Sequence, residues 1–341
     1  MSFEIYTPDL SNRHELTHAL SVTTTVHYNG IGKFTMILPI DDYNIQAVQN
    51  NAIILDKRDF QTFLVTSIQT DTINNQLVVN GYTANAVLNR RVVASPLAAG
   101  NLEAGAYALL TANLRELPGV ALAEAKGLEE AAEITVQGGQ LLDQVIALLA
   151  AGELGHRFVW DYRTKTHTFE VYKGEDRTKG VHAVAFSYER GTAQDLVISD
   201  DISALKNVFY IQGRTRDDVP VLEVVGDAQG EDRYEKWLTS EPRQDSQETE
   251  AVFRARLRGI ALEAAADYLR RQSFQVVIDP ADYGVHYGLG DVVSCVSTTF
   301  GVRFDTRITG VTYSLDINGA QTALTLGEPR INVLEEMRLN G

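Results

Sequence analysis

The chain has 341 residues, 44% of them hydrophobic, which is enough for two or three domains with real cores and too apolar for wholesale disorder. Its 45 acidic against 30 basic residues give a formal net charge of −15; this disfavours adhesion to phosphate backbones, which draws its affinity from Lys and Arg displacing counterions. The single cysteine, Cys295, excludes both an intrachain disulfide framework and a cysteine-based zinc site. The opening MSFEIYTPDLSNRHEL carries charge and Pro8 where a signal peptide needs an unbroken apolar run, and no later run approaches the length of a membrane span. A soluble product made in a cytoplasm is expected.

Residues 1–92 read as β structure. Leu20, Val22, Thr24, Val26 and Tyr28 alternate, Asn29-Gly30 turns the chain, and Phe34, Met36 and Leu38 alternate on the return, so two half-buried strands form a hairpin. Pro39 and Asp41-Asp42 end it. A short helical passage through Tyr43 and Val48 leads to a strand at Ile53–Leu55, then to a second hairpin over Leu64–Gly81.

After Arg90-Arg91 the composition shifts to Ala, Leu and Glu. Leu102, Ala106, Leu109 and Ala112 keep helical spacing until Leu117-Pro118-Gly119, and a second helix over Gln140–Ala151 puts Leu141, Leu142, Val145, Leu148 and Leu149 on one side. A hairpin at His156–Tyr162 and His167–Tyr172 completes a compact α+β module over 93–182, set between β regions. From Ala183 the β character returns in AVAFSYERG, DLVIS and NVFYIQG, and Asp217–Arg243 reads as a polar loop or strand excursion. Asp245 and Glu248 suit a capping box for a long helix over 245–272, in which Phe253, Leu257, Ile260, Ala264 and Tyr268 recur at spacings of three and four. Strands at Phe274–Ile278 and Val292–Val296 precede a last hairpin, Arg307–Gly327, and 331–341 reads as a short tail.

The sharpest catalytic signal is His14-Glu15-Leu16-Thr17-His18, an H-E-x-x-H match. In zinc peptidases that motif works because a helix puts both histidines on one face beside a glutamate that activates the metal-bound water. Here Pro8, Asp9, Ser11 and Asn12 lie just upstream and the β alternation starts at Ser21, which leaves no room for the helix. In a strand the two histidines would stand about 13 Å apart, too far to chelate one ion. Asp200-Asp201 and Asp217-Asp218 read as solvated loop acids, Gly288-Leu289-Gly290-Asp291 as a turn before a strand, and Cys295 as a core thiol. His156, His167, His182 and His286 share no triad spacing with Ser or Asp. No catalytic, cofactor-binding or metal residue is assigned, and no cofactor is expected.

The last hairpin has an echo in the second one. Val65-Thr66-Ser67-Ile68 and Ile308-Thr309-Gly310-Val311 each lead to a polar turn, Ile73-Asn74-Asn75 or Ile317-Asn318-Gly319, and return through an apolar strand ending in glycine. A repeat spaced this widely reads as a duplicated β-domain. The blocks FTMILPIDDYN, AIILDKRDFQTFLVTSI and LVVNGYTANAVLNRRVV, then FSYERGTAQDLVISDDISALKNVFYIQG, then YGLGDVVSCVSTTFGVRFDTRITGV with ALTLG, resemble phage tail baseplate hub proteins, including the hub-like N-terminal part of siphophage tail-tip or tail-associated lysin proteins.

The resemblance implies an α+β, mainly β chain with two tail-tube-like β-barrel domains, 1–92 and 183–330, the second including a peripheral helix at 245–272, and with the 93–182 module inserted between them. It implies a homotrimer in a virion tail, synthesised in the host bacterium's cytoplasm, whose six similar barrels adapt the sixfold tail tube to a threefold tip. The implied partners are the tail tube, a distal tail or baseplate ring protein, the tape-measure protein and a fibre, spike or tip protein, with DNA passing through a channel without specific binding. A structural, non-enzymatic role follows. The rival reading is a zinc-dependent tail hydrolase using His14, Glu15 and His18.

Overall fold

In the computed structural model, residues 3–16, 18–265, 268, 271–279, 281–299 and 302–327 are described. They divide into two compact units, Met1–Leu196 with Gln275–Gly327, and Val197–Phe274. No helix among the described residues is long and apolar enough to cross a membrane.

The first unit begins with β1 (Phe3–Tyr6), β2 (Arg13–Leu16), β3 (Ser21–His27) and β4 (Lys33–Pro39), then α1 (Asp42–Ala47), β5 (Ile53–Asp56), β6 (Thr62–Asp71) and β7 (Gln76–Thr83). The expected alternation holds in β3 and β4: Val22, Phe34, Met36 and Leu38 are buried while Thr23, Lys33 and Thr35 face water. These side chains meet Phe3, Ile5, Ile54, Phe63, Val65 and Val79 in one apolar core. The α1 turn starts where Asp41 accepts the Asn44 N–H, a cap that satisfies an otherwise orphaned donor.

A 3-10 turn, Ala84–Arg90, leads to β8 (Leu97–Asn101), α2 (Leu102–Asn113), β9 (Val120–Leu122), β10 (Ala131–Val136), α3 (Leu141–Ala150), β11 (Gly155–Asp161) and β12 (Thr166–Tyr172). The apolar stripes read from sequence pack together: Leu102, Ala106, Leu109 and Leu110 of α2 share a core with Leu141, Leu142, Val145, Leu148 and Leu149 of α3 and with Phe169 and Val171 of β12. Buried Glu103 accepts the N–H groups of Lys126 (2.7 Å) and Leu128 (2.8 Å), and so ties the extended loop onto α2.

β13 (Ala185–Phe186) and β14 (Asp195–Asp201) carry the chain to the second unit. There β15 (Val208–Arg214) pairs antiparallel with β16 (Pro220–Val225) and parallel with β17 (Glu235–Leu238). α4 (Glu250–Ala265) lays Phe253, Leu257, Ala261 and Ala265 on Phe209, Ile211, Val221 and Val225. The helix is shorter than the periodicity implies. Glu248 does reach back to the Asp245 N–H (3.2 Å), but the helix starts after Thr249, whose hydroxyl accepts the Val252 N–H (3.3 Å). Arg271 and Gln272, expected in the helix, begin β18 (Arg271–Ile278).

The chain returns through β18 to β19 (Val292–Ser297), β20 (Val302–Asp316) and β21 (Gly319–Leu326); the tail expected over 331–341 lies outside the described residues. Strands are joined in the order β14-β18-β21-β20-β3-β4-β7-β6-β5-β1-β2, with β19 on β20 and β13 on β19. The chain is therefore mainly β, as expected. Among the described residues, no pairing closes this sheet into the expected barrels: β14 and β2 remain as its two ends.

Candidate functional site

The sheet order contains a repeat much longer than the hairpin echo. β3-β4-β7-β6-β5 and β14-β18-β21-β20-β19 are the same five-strand path, and their backbone details coincide. In β6 the register against β7 shifts between Val65 and Ser67; in β20 it shifts against β21 between Ile308 and Gly310. Thr66 and Thr309 are thus the extra residues of equivalent β-bulges, and their hydroxyls point at the carbonyls opposite, Asn80 at 3.5 Å and Thr325 at 3.3 Å.

Two residues before each bulge, Leu64 pairs with Ile53 and Arg307 with Val292. The turns before β5 and β19 also match. Asn51 and Gly290 both have positive φ, 66° and 97°; their N–H groups donate to Val65 O and Ile308 O, each at 2.8 Å, while Val65 and Ile308 return N–H groups to Ala52 O and Asp291 O at 2.9 and 2.8 Å. The hairpin turns are alike in chemistry as well. The Asp71 carboxylate accepts the N–H groups of Ile73 and Asn74, and that of Asp316 accepts the N–H of Asn318. The ladder corrects one detail of the echo: Gly81 lies opposite Val65 where Leu326 lies opposite Ile308, so the two strand-ending glycines are one residue out of step. A glycine-to-glycine match would invert the faces of the whole strand.

Tyr28 joins the α+β module to both copies. Its ring packs edge-on to Tyr172 at 5.1 Å and lies under the Arg307 guanidinium at 5.3 Å, and its hydroxyl is 3.1 Å from the carbonyls of Glu153 and Tyr172. A Cβ on Gly155 or Gly290 would come within 2.2 or 2.4 Å of that ring, so both positions need glycine. His156 is enclosed beside it. Its Nδ1 lies 3.1 Å from Asn29 Oδ1 and its Nε2 2.9 Å from the Asn85 amide nitrogen, a pairing that suits one donor and one acceptor and hence the neutral ring. His167 meets the Thr62 hydroxyl at 2.8 Å. Burial lowers both imidazoles to about 4, because the charged form is the one that loses hydration.

The catalytic candidates lie apart from one another. His14 and Glu15 are on β2, opposite Ile5 and Glu4; His14 packs edge-on to Tyr43 at 5.6 Å, and Glu15 is bonded to Lys57 at 3.2 Å. Leu16 points into the core and His18 lies outside the strand, exposed; Thr17 lies outside the described residues. The helix on which the zinc rival depends is therefore absent from His14–Leu16. No group of three or more His, Cys, Asp or Glu side chains that could hold a metal occurs among the described residues.

Cys295 is buried on β19, where burial pushes its thiol up to about 12. Gly288–Asp291 is the turn expected, with buried Asp291 accepting N–H groups from Glu175 (2.8 Å) and Gly288 (3.0 Å) and pairing with Arg177 at 2.7 Å. Asp218 sits at a positive-φ turn position within ion-pair distance of Arg214 and Arg243, and Asp200-Asp201 end β14. His182 and His286 are exposed. In the second unit Trp237, 53% exposed, stacks on Tyr210 at 6.2 Å.

The fold is that of bacteriophage-type tail proteins. A tail protein from Neisseria meningitidis MC58 superposes with a TM-score of 0.61 at 14% identity over 98% of both chains. The 43 kDa tail protein of prophage MuSo2 from Shewanella oneidensis gives 0.57 at 10% identity, covering 96% of this chain and 98% of the other. Prophage tail protein gp18 from Listeria monocytogenes EGD-e gives 0.53 at 14%, covering 100% and 99%. Residues 2–328 match the family described as Siphovirus ReqiPepy6 Gp37-like protein, and the chain belongs to that family. No curated protein matches the sequence.

Proposed function

We propose that the chain is a structural, non-enzymatic hub of a phage or phage-like tail, located in the virion at the baseplate or tail tip. The observation that carries this is the duplicated five-strand path, with its paired bulges and paired positive-φ turns. Three chains that each present two such modules offer six similar units, so a threefold ring docks coaxially on a sixfold tube without a symmetry clash. The modules are the barrel-like domains of 1–92 and 183–330, and the 93–182 module lies between them in sequence.

The ring encloses a channel for DNA and the tape-measure protein, adjoins the tail tube and a distal tail or baseplate ring protein, and carries a fibre, spike or tip protein below. The net charge of −15 suits a channel that DNA crosses without binding. Light scattering on the purified chain is expected to give a trimer mass, and images of assembled particles a threefold ring. A particle without threefold density at the tube's end would overturn the reading.

A further inference from the structure

The two copies are joined inside the chain by one strand pair, and that pair is a template for another. β20 changes partner at its bulge: Val302–Arg307 pair with β19, whereas Gly310–Leu315 pair antiparallel with β3, from Gly310 opposite His27 to Leu315 opposite Val22. In the first copy β6 pairs with β5 before its bulge in the same way. Beyond the bulge, residues 67–71 pair with β7 on one side, and no described strand covers the other. Exposure follows this difference. Gly310, Val311 and Tyr313 are buried, while their counterparts Ser67 and Ile68 are half-buried and Thr70 is exposed.

The strand that corresponds to β3 in the second copy is β14. Both have seven residues, and β14 is an end of the sheet, paired with β18 and with no other described strand. An open edge invites pairing with another chain unless charge, proline or a bulge guards it. The opposite end of the sheet is guarded: β2 reads Arg13-His14-Glu15-Leu16. β14 reads Asp195-Leu196-Val197-Ile198-Ser199-Asp200-Asp201, with its charges at the two ends, an uncharged middle and Val197 51% exposed; residues 67–71 carry one charge, Asp71 at the turn end, and contain neither lysine, arginine nor proline.

We infer that residues 67–71 of β6 pair antiparallel with residues 196–201 of β14 in a second copy of this chain, repeating between chains the β20–β3 junction found within one. The inference rests on the trimeric hub reading and supplies its interface. The contact is head-to-tail, so each chain uses one edge of each kind, and the ring closes when the rotation per junction does. Each junction, within or between chains, then joins one module to the next by the same backbone ladder.

Cysteine cross-linking of the full-length protein tests this. Gln69 occupies the position of Thr312, which pairs with Thr25, the fifth residue of β3; the fifth residue of β14 is Ser199. A chain carrying both Gln69→Cys and Ser199→Cys, oxidised mildly at high concentration, is expected to give covalent dimers and trimers that thiol reductant dissolves. Gln69→Cys with Val197→Cys covers the register shifted by two residues. Each single variant alone is expected to stay monomeric on a denaturing gel, and an equal mixture of the two singles to stop at dimers, since a trimer of mixed singles cannot be linked throughout. A protein that is trimeric by light scattering but gives no link specific to either double variant would overturn this junction and leave the trimer standing. Monomeric mass with no link would overturn both, and equal linking by a single variant would show a symmetric contact and reject the head-to-tail one.

Discussion

The two copies of the five-strand path differ most in their side chains and least in their hydrogen bonds. Phe63, Leu77 and Leu55 of the first copy are buried where the second has Thr306, Thr322 and Ser294, also buried. The added hydroxyls of Thr306 and Ser294 are satisfied locally, at 2.9 Å by Gly327 O and at 2.6 Å by Asp305. The bulges and the positive-φ turns survive all of this. Apolar volume can be redistributed among neighbours in a core, but a ladder out of register by one residue turns every side chain to the wrong face. Backbone geometry is thus the more constrained inheritance.

Exchanging residues between the copies is the direct way to break that comparison. Gly81 and Leu326 are the least exchangeable pair. A Cβ on Gly81 would stand 2.0 Å from Leu64 O, so Gly81→Leu is expected to prevent stable folding, or to cost more than about 4 kcal/mol in a denaturant melt. The reverse change, Leu326→Gly, removes a fully buried side chain and should cost about 3–5 kcal/mol. Phe63→Thr installs the second copy's residue in place of a fully buried ring, and a loss of about 3–4 kcal/mol is expected; a loss below 1 kcal/mol would mean that the two cores are interchangeable at this position.

The α+β module has no duplicate, and its two buried histidines give it a pH dependence of its own. The folded imidazoles of His156 and His167 titrate near 4 instead of 6.5, so the unfolded chain takes up these protons first. Their contribution is fully present above about pH 6.5 and is lost as pH falls toward 4. Melting temperature should therefore drop across that window, with a shallower slope in a His156→Gln, His167→Gln double variant. The smallest effect is expected at the bulges. Thr66→Val and Thr309→Val each remove one long hydrogen bond and should cost about 0.5 kcal/mol or less, equal within error if the bulges are equivalent.

How much of this was legible beforehand follows from the same contrast. Val-Thr-Ser-Ile and Ile-Thr-Gly-Val advertise the duplicated strands because β-branched residues suit a pleated, half-buried surface. The equivalence of Asn51 with Gly290 was not legible, since what they share is a backbone angle that two unlike residues adopt. β1 escaped notice because all four of its residues are buried, which erases alternation, and β2 because three of its four residues are charged or titratable. The α4 stripe overran its helix because periodicity continues through Ala264 and Tyr268 while the backbone changes to strand at Arg271. The H-E-x-x-H match shows the converse. A motif carries its chemistry only on the backbone that places its side chains, and here that backbone is extended.

Tyr28 sets a rule for how the chain can diverge. Residues 28, 155 and 290 come from three different segments, yet the phenol occupies the space that side chains at the other two would need. Homologues that retain an aromatic at the first position should retain glycine at both of the others; those with a small residue there should be free to change position 155, while position 290 keeps its own preference for glycine through a φ of 97°. Aligned relatives would show this as a covariation between positions 28 and 155, more than a hundred residues apart.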